Sequence, residues 1–394
     1  MEVPPISWKI QSWVEADVKI TGFETVLLSC PVPKRHQLNW DGRANGQRVL
    51  KNDMMIVKLK TDEGVEGVGE PSVYGQPKVM DAWLKDHKEM FVGKDQDVAL
   101  KATQPTMYNG WSVNCALAGV NQALWDIIGK SCKLPVHRLL GGKQTDRVQV
   151  YASAGQMGRT VDEIRGEAER FREEGYLGYK IRVTLDDYRE KTKAAREGLG
   201  KDLRLMVEWN MRLPNIKAAV NAIRNIERYE LTWVEEPITG SDVEGYAELR
   251  KMVDVPISGG EALATRWEIK ERLDKGCYSI VQPDCDVAGL SESRAIAFMA
   301  SLDEVLYCPH NWHNAINTAA NLQVMAASPN QFFLEKNRTW NNSCPEFQTE
   351  IVKNPLLPKN GYIEIPDTPG LGVELDDEAI KKFPYLDIEI AAPL

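Results

Sequence analysis

Residues 203–208 read Leu-Arg-Leu-Met-Val-Glu, 231–235 read Leu-Thr-Trp-Val-Glu, and 255–261 read Val-Pro-Ile-Ser-Gly-Gly-Glu. Each is a short, largely apolar run closed by a glutamate: Glu208, Glu235 and Glu261, at gaps of 27 and 26 residues. The interval continues in both directions. Arg182 stands 26 residues before Glu208, and Asp284, His310 and Glu335 follow Glu261 at gaps of 23, 26 and 25. That length holds one strand, one helix and two loops, so the chain repeats a βα unit and ends each strand with a residue suited to chemistry. In a (β/α)₈ barrel the active site gathers on the C-terminal ends of the strands. One periodicity therefore predicts both a fold and a site.

Outward from that stretch, eight apolar strand candidates occupy 148–152, 178–183, 203–207, 231–234, 255–258, 277–281, 305–308 and 332–334. Helical patterns fall between them, as at 161–174, 217–229, 291–300 and 315–327. Continuous apolar strands alternating with helices are what a parallel sheet buried on both faces requires. The region before them differs in kind. Residues 17–30 alternate as a strand, and 54–60 and 65–70 are β-type runs joined by Asp62-Glu63-Gly64, which predicts a hairpin. The period turns helical over 77–98 and again over 113–131, where Leu117, Val120, Leu124, Ile127 and Ile128 share a broad face. These signals predict an α+β domain over 17–145, a barrel over 146–340, and a segment at 341–394 that lacks the alternation and packs back on the first domain. Residues 1–16 carry no assignable pattern.

At 394 residues, 43% hydrophobic and 27% charged, the chain has the composition of a globular protein of about two domains. No apolar run approaches the roughly 20 residues needed to span a bilayer, and the first residues lack the basic flank and apolar stretch of a secretory signal. A net charge of −9, spread along the chain, argues against a nucleic-acid partner, because such partners are met by a basic stripe. Seven scattered cysteines without a CxxC pair form neither a disulfide framework nor a zinc site. A cytoplasmic compartment is the expectation.

Three carboxylates converging without cations repel one another, and burial raises their pKa values. A divalent metal removes the conflict. Glu208, Glu235 and Glu261 are hard oxygen ligands with no His or Cys among them, which favours Mg²⁺ over Zn²⁺. The bland alternative is that glutamates at strand ends are merely solvated or cap the next helix; three in register on adjacent strands make it the weaker reading. Asp284 and His310 close neighbouring strands, and an aspartate on one imidazole nitrogen makes the other a positioned base. Lys180 and Arg182 alternate along the second strand and point to one face, where cations would offset the carboxylates or hold an oxyanion. Together these groups suit removal of a proton α to a carboxylate, because metal and cations stabilise the resulting enediolate.

At this point the chain resembles the enolase superfamily, in its mandelate racemase-like subgroup. The likeness runs through Gly64-Val65-Glu66-Gly67-Val68-Gly69-Glu70, Ala123-Leu124-Trp125-Asp126 with Gly129-Lys130, and Leu139-Leu140-Gly141-Gly142. It continues through Val234-Glu235-Glu236-Pro237, Gly259-Gly260-Glu261, Gln282-Pro283-Asp284 and Pro369-Gly370-Leu371-Gly372. The resemblance implies an α+β capping domain, built from the N-terminal region and the C-terminal segment, over a modified TIM barrel, (β/α)₇β. It implies metal ligation by Glu208, Glu235 and Glu261, a His310–Asp284 dyad, and Glu335 as an acidic group that hydrogen-bonds the substrate's carboxylate or enolate. It also implies site-covering loops at 31–49 and around 71–74, and a homo-oligomer. His36, Trp40 and Arg43 in the first loop, with Asn210 beyond the third barrel strand, are candidate substrate contacts; a merely solvated polar loop is the other reading of the first three.

Two positions depart from the pattern. Glu208 stands where the family usually has Asp. The common Lys-x-Lys reads Lys180-Ile181-Arg182, and Arg, with a pKa above about 12, makes a poor base. Racemisation by two bases is weakened, and a one-base reaction led by His310 is left. The expectation is Mg²⁺-dependent dehydration of a sugar acid, an aldonate or aldarate, to a 2-keto-3-deoxy acid. The alternatives are epimerisation, racemisation or cycloisomerisation through the same enolate, and a non-catalytic barrel kept for binding.

Overall fold

The computed structural model describes residues 18–33, 47–72, 74, 76–106, 108–339, 345–389 and 391–393. Its first strands are β1 (Ile20–Pro31), β2 (Gln47–Val49), β3 (Lys51–Thr61) and β4 (Glu66–Gly69). β3 pairs antiparallel with β1 on one side and β4 on the other. The β3–β4 turn is the hairpin that Asp62-Glu63-Gly64 predicts, with Gly64 at a φ of 76°, open to glycine without strain. The helices α1 (Pro77–Asp86), α2 (Gln96–Ala102), α3 (Trp111–Ser131) and α4 (Val136–Leu139) follow. The helical period read over 77–98 is interrupted between α1 and α2, where the chain turns through Gly93 at φ 80° and docks its backbone on Ile20. Met55, Val57 and Leu59 of β3 share a core with Val120, Leu124 and Ile127 of α3.

The motif around Gly67 and Gly69 has a steric cause. β4 lies so close to α3 that a Cβ on Gly69 would sit 1.9 Å from the Gly119 carbonyl oxygen, and one on Gly67 2.1 Å from that of Ala123. Asp126 on α3 completes the junction. Its carboxylate accepts from the backbone N–H groups of Val68 (3.1 Å) and Leu371 (2.9 Å) and from Lys130 Nζ (2.7 Å).

Eight parallel strands follow: β5 (Arg147–Ser153), β6 (Gly178–Arg182), β7 (Arg204–Glu208), β8 (Trp233–Glu235), β9 (Ile257–Gly259), β10 (Ile280–Val281), β11 (Leu306–Tyr307) and β12 (Phe333–Asn337). Between them run α5 (Val161–Glu173), α6 (Tyr188–Leu199), α7 (Ile216–Ile226), α8 (Val243–Met252), α9 (Arg266–Asp274), α10 (Gly289–Leu302) and α11 (Ala315–Ala326). Neighbours pair in chain order from β5 to β11, and β12 pairs with β5. The ring closes at Tyr307, which donates to the Asn330 carbonyl (2.8 Å) and accepts from Phe332 N–H (2.9 Å). Tyr151, Met206, Trp233, Ile280, Cys308 and Phe333, all buried, cluster as a packed interior layer, so the barrel has a floor rather than a pore.

The last segment touches both units. It comprises α12 (Pro345–Thr349), β13 (Tyr362–Glu364), α13 (Asp377–Ile380) and β14 (Ala391–Pro393). β13 pairs antiparallel with the start of β5, and β14 pairs with β2. Ser29 N–H donates to the Phe383 carbonyl at 3.2 Å, and Lys58 meets Asp377 at 2.9 Å. Among the described residues, no helix is long and apolar enough to cross a membrane.

Candidate active site

Strand register assembles the charged groups. Arg182 pairs with Glu208 and Glu208 with Glu235 across β6, β7 and β8. Glu261 follows β9 by two residues, Asp284 and His310 each follow their strands by three, and Glu335 sits within β12. All seven therefore meet at the C-terminal end of the barrel, and only Glu261 is more than marginally exposed.

Oxygen atoms of Glu208, Glu235 and Glu261 lie within 4.8 Å of one another. Lys180 Nζ reaches Glu208 Oε2 at 3.3 Å and Glu335 Oε1 at 2.9 Å, and also contacts Glu235. Arg182 Nε donates to Glu208 Oε2 at 2.9 Å, and its guanidinium stacks 3.9 Å above the Trp312 ring. Glu235 Oε2 accepts from Trp233 Nε1 (2.9 Å) and Gln282 Nε2 (2.7 Å). Glu236, also buried, lies beside them with its carboxyl pushed well above the usual range by burial and by Glu261, Glu235 and Glu208. Among the described residues, Glu208, Glu235, Glu261 and Glu335 are countered by Lys180, Arg182 and, at 3.6–4.0 Å, His310.

The imbalance appears in the protonation of the groups. Burial, with repulsion from Glu208, Glu335 and Glu261, raises Glu235 to about 7 despite Lys180. Burial opposes ionisation of Glu208 too, but Arg182 and Lys180 outweigh it and hold that carboxyl below the usual range. Burial works against a charged His310, yet Glu261, Glu335 and Asp284 together hold the imidazole well above its ordinary range. The residues present fit a divalent cation: the ligand set is all carboxylate, it carries surplus negative charge, and Glu261 Oε2 is buried with no hydrogen-bond partner.

Opposite the cations, His310 Nδ1 lies 2.8 Å from Asp284 Oδ2. Its Nε2 faces the glutamates, 3.6 Å from Glu261 Oε2 and 4.0 Å from Glu335 Oε2. Glu335 is held by Asn311 N–H (2.9 Å) and Trp312 Nε1 (3.0 Å). A second imidazole, His313, lies 2.5 Å from Asp286 Oδ2, and Tyr74, from the 71–74 segment, meets its ring edge-on at 5.7 Å.

Of the candidate substrate contacts, Asn210 turns its amide toward Glu208 Oε1 at 3.3 Å. His36, Trp40 and Arg43 lie outside the described residues. Reading strand ends missed Glu236, Trp312, Asn317 and Asn321. Glu236 directly follows Glu235 and could have been found from the doubled acid. The other three lie in the loop and helix after His310, where an apolar-run criterion has nothing to register.

Two family models match the chain: "Enolase C-terminal domain-like" over residues 163–379, and "Mandelate racemase / muconate lactonizing enzyme, N-terminal domain" over 43–141. A D-galactarolactone cycloisomerase from Agrobacterium fabrum is 30% identical over 385 residues, covering 93% of this chain and 99% of that protein. A D-galactonate dehydratase from Variovorax paradoxus is 31% identical over 345 residues, covering 83% of this chain and 90% of that protein. Among solved structures, the 3,6-anhydro-D-galactonate cycloisomerase from Zobellia galactanivorans superposes with a TM-score of 0.82 at 28% identity, covering 93% of this chain and all of that one.

Proposed function

We propose that this chain, which belongs to the enolase superfamily and to its mandelate racemase-like branch, is a Mg²⁺-dependent dehydratase of a sugar acid, an aldonate or aldarate. One observation carries the reading: an imidazole positioned by Asp284, His310, meets the same glutamate cluster as a cation pair whose second member is not a lysine but an arginine held by Glu208 and Trp312. Glu208, Glu235 and Glu261 would hold the metal, which supplies Lewis-acid stabilisation to a bound carboxylate as it gains enolate character.

A cation held by Glu208, Glu235 and Glu261 would offset the negative charge that keeps the His310 imidazole protonated. Asp284 then fixes the ring so that Nε2 is the free nitrogen, and Nε2 takes the proton from the carbon next to the carboxylate. Lys180, against Glu335, and Arg182, on Trp312, offset the charge that develops. The C3–O bond breaks with its electron pair leaving on oxygen, and protonated His310 returns its proton to form water, a syn elimination. The enol then tautomerises to the 2-keto-3-deoxy acid. The same reading makes the protein cytoplasmic and homo-oligomeric, with a small sugar acid as its partner. Cycloisomerisation is the second reading, favoured by the Agrobacterium relative's name.

A library of acid sugars screened with Mg²⁺ separates the two. Accumulation of a keto acid supports dehydration; an isomeric product without water loss supports the second reading. His310→Asn is expected to abolish turnover and leave metal binding intact, and full activity in that variant would sink the assignment of the base.

A further inference from the structure

The N-terminus of α11 is capped from a distant part of the chain. Its own N-cap residue, Asn314, makes no side-chain cap bond. Glu70, the residue after β4, takes that role. Its Oε1 accepts from Asn314 N–H and Nδ2, both at 2.9 Å, and its Oε2 accepts from Asn317 N–H at 3.0 Å. A carboxylate here satisfies donors that a helix end leaves open and sits at the positive end of the helix dipole.

What α11 carries explains why its position matters. Asn317 Nδ2 donates to Asp284 Oδ1 at 2.7 Å, and Asn321, four residues on, donates to the same oxygen at 3.0 Å. Gln122 on α3 sets the sense of the Asn317 amide. Gln122 Oε1 accepts from Glu70 N–H at 2.9 Å, while its Nε2 hydrogens are shared among the Cys285 carbonyl (2.9 Å), Asn317 Oδ1 (3.1 Å) and the Glu70 carbonyl (3.1 Å). The oxygen of Asn317 is thereby engaged, so its nitrogen is the end that meets Asp284. With Oδ1 of Asp284 occupied by two amides, Oδ2 is left for His310 Nδ1.

We propose that Glu70 and Gln122 are positioning residues for His310, acting from the α+β domain through Asn317 and Asp284. The proposal rests on the reading of His310 as the base. It gives a role to the end of the Gly64–Glu70 motif that neither metal nor substrate accounts for.

The test uses the full-length, Mg²⁺-loaded protein. Gln122→Ala and Asn317→Ala should each lower kcat by roughly 10- to 100-fold, the scale seen when groups that orient a reacting residue are removed, with KM held within about twofold. Because the two act in series, the double variant should lose no more than the poorer single. Losses that multiply, or a raised KM with kcat intact, overturn the proposal. A second measurement needs no substrate. In protein with isotope-labelled histidine, the low-field Nδ1–H signal of His310 should be displaced by Gln122→Ala and by Glu70→Gln. An unmoved signal overturns the proposal whatever the substrate proves to be. A displaced signal in a protein that dehydrates no sugar acid would count against the reaction and leave the positioning role standing.

Discussion

Glu235 is the carboxylate of this site with the most to gain from a cation. It is fully buried, and burial and the neighbouring glutamates raise its pKa to about 7. Below that value it carries a proton, and a hard cation binds only the ionised form. Apparent metal affinity should therefore rise with pH up to about 7, by roughly tenfold per unit at the steepest, and level off above it. Calorimetry in two buffers of different ionisation heat should show about one proton released per metal at pH 6 and few above pH 8; a pH-independent affinity would remove Glu235 from the ligand set. Arg182 bears on the type of reaction. Fixed by Glu208 and Trp312, it is a stationary charge. Arg182→Lys puts a titratable amine in its place, and the expected outcome is exchange of the α-proton with solvent deuterium while elimination falls by about tenfold or more. Unchanged exchange would show that the arginine is not what holds a second base in check. The groups that ended strands at a fixed interval were legible in the sequence for a physical reason: barrel register turns equal spacing into adjacency. Trp312, Asn317 and Asn321 were not, because their places depend on how a loop folds over its own helix.

At the scale of elements, all eight barrel strands fall where apolar runs predict them, but several are shorter. Cys277 and Val305 lie in predicted runs, while β10 and β11 keep only two residues each. Apolarity marks what is buried, and burial extends beyond the residues that pair. The α+β domain yields to the same reasoning at its hairpin and along α3, whereas the spacing of Gly67 and Gly69 could be noticed in the sequence but not explained. The cause is the backbone of α3 lying against β4. That contact predicts the cost of adding one methyl group. Gly69→Ala must push β4 away from Gly119 and should destabilise the protein by about 1–3 kcal/mol, the usual range for overpacking. Because Glu70 is the next residue, kcat should fall as well. Chemical denaturation and steady-state kinetics on one preparation check both, and a variant as stable and active as the parent would mean that the strand can shift freely.

Across the whole molecule, the segment after β12 shows in the sequence as a missing alternation, the Pro369-Gly370-Leu371-Gly372 motif and an expected return to the first domain, but not as elements, because a few short ones carry no period. Its partners are remote. Phe347, Ile351, Ile363, Leu371 and Val373 enter the main core, β13 extends the barrel at β5, and Gly370 lies against Gly129, where a Cβ would meet it at 2.7 Å. A chain ending at residue 344 should consequently lose its cooperative unfolding transition, measured by circular dichroism against denaturant; a transition matching the parent's would show the segment to be dispensable. The pairing of distant residues also has a consequence in time. Asp126 and the Leu371 N–H it accepts from are 245 residues apart, and Glu70 lies 244 residues before Asn314. At ribosomal rates of about 5–20 residues per second, Asp126 waits roughly 12–50 s for its partner to be made. Through that interval the first domain lacks this contact to the last segment, and Asp284 and His310 leave the ribosome before the helix that steadies them. Competence for chemistry is thus among the last properties the nascent protein acquires.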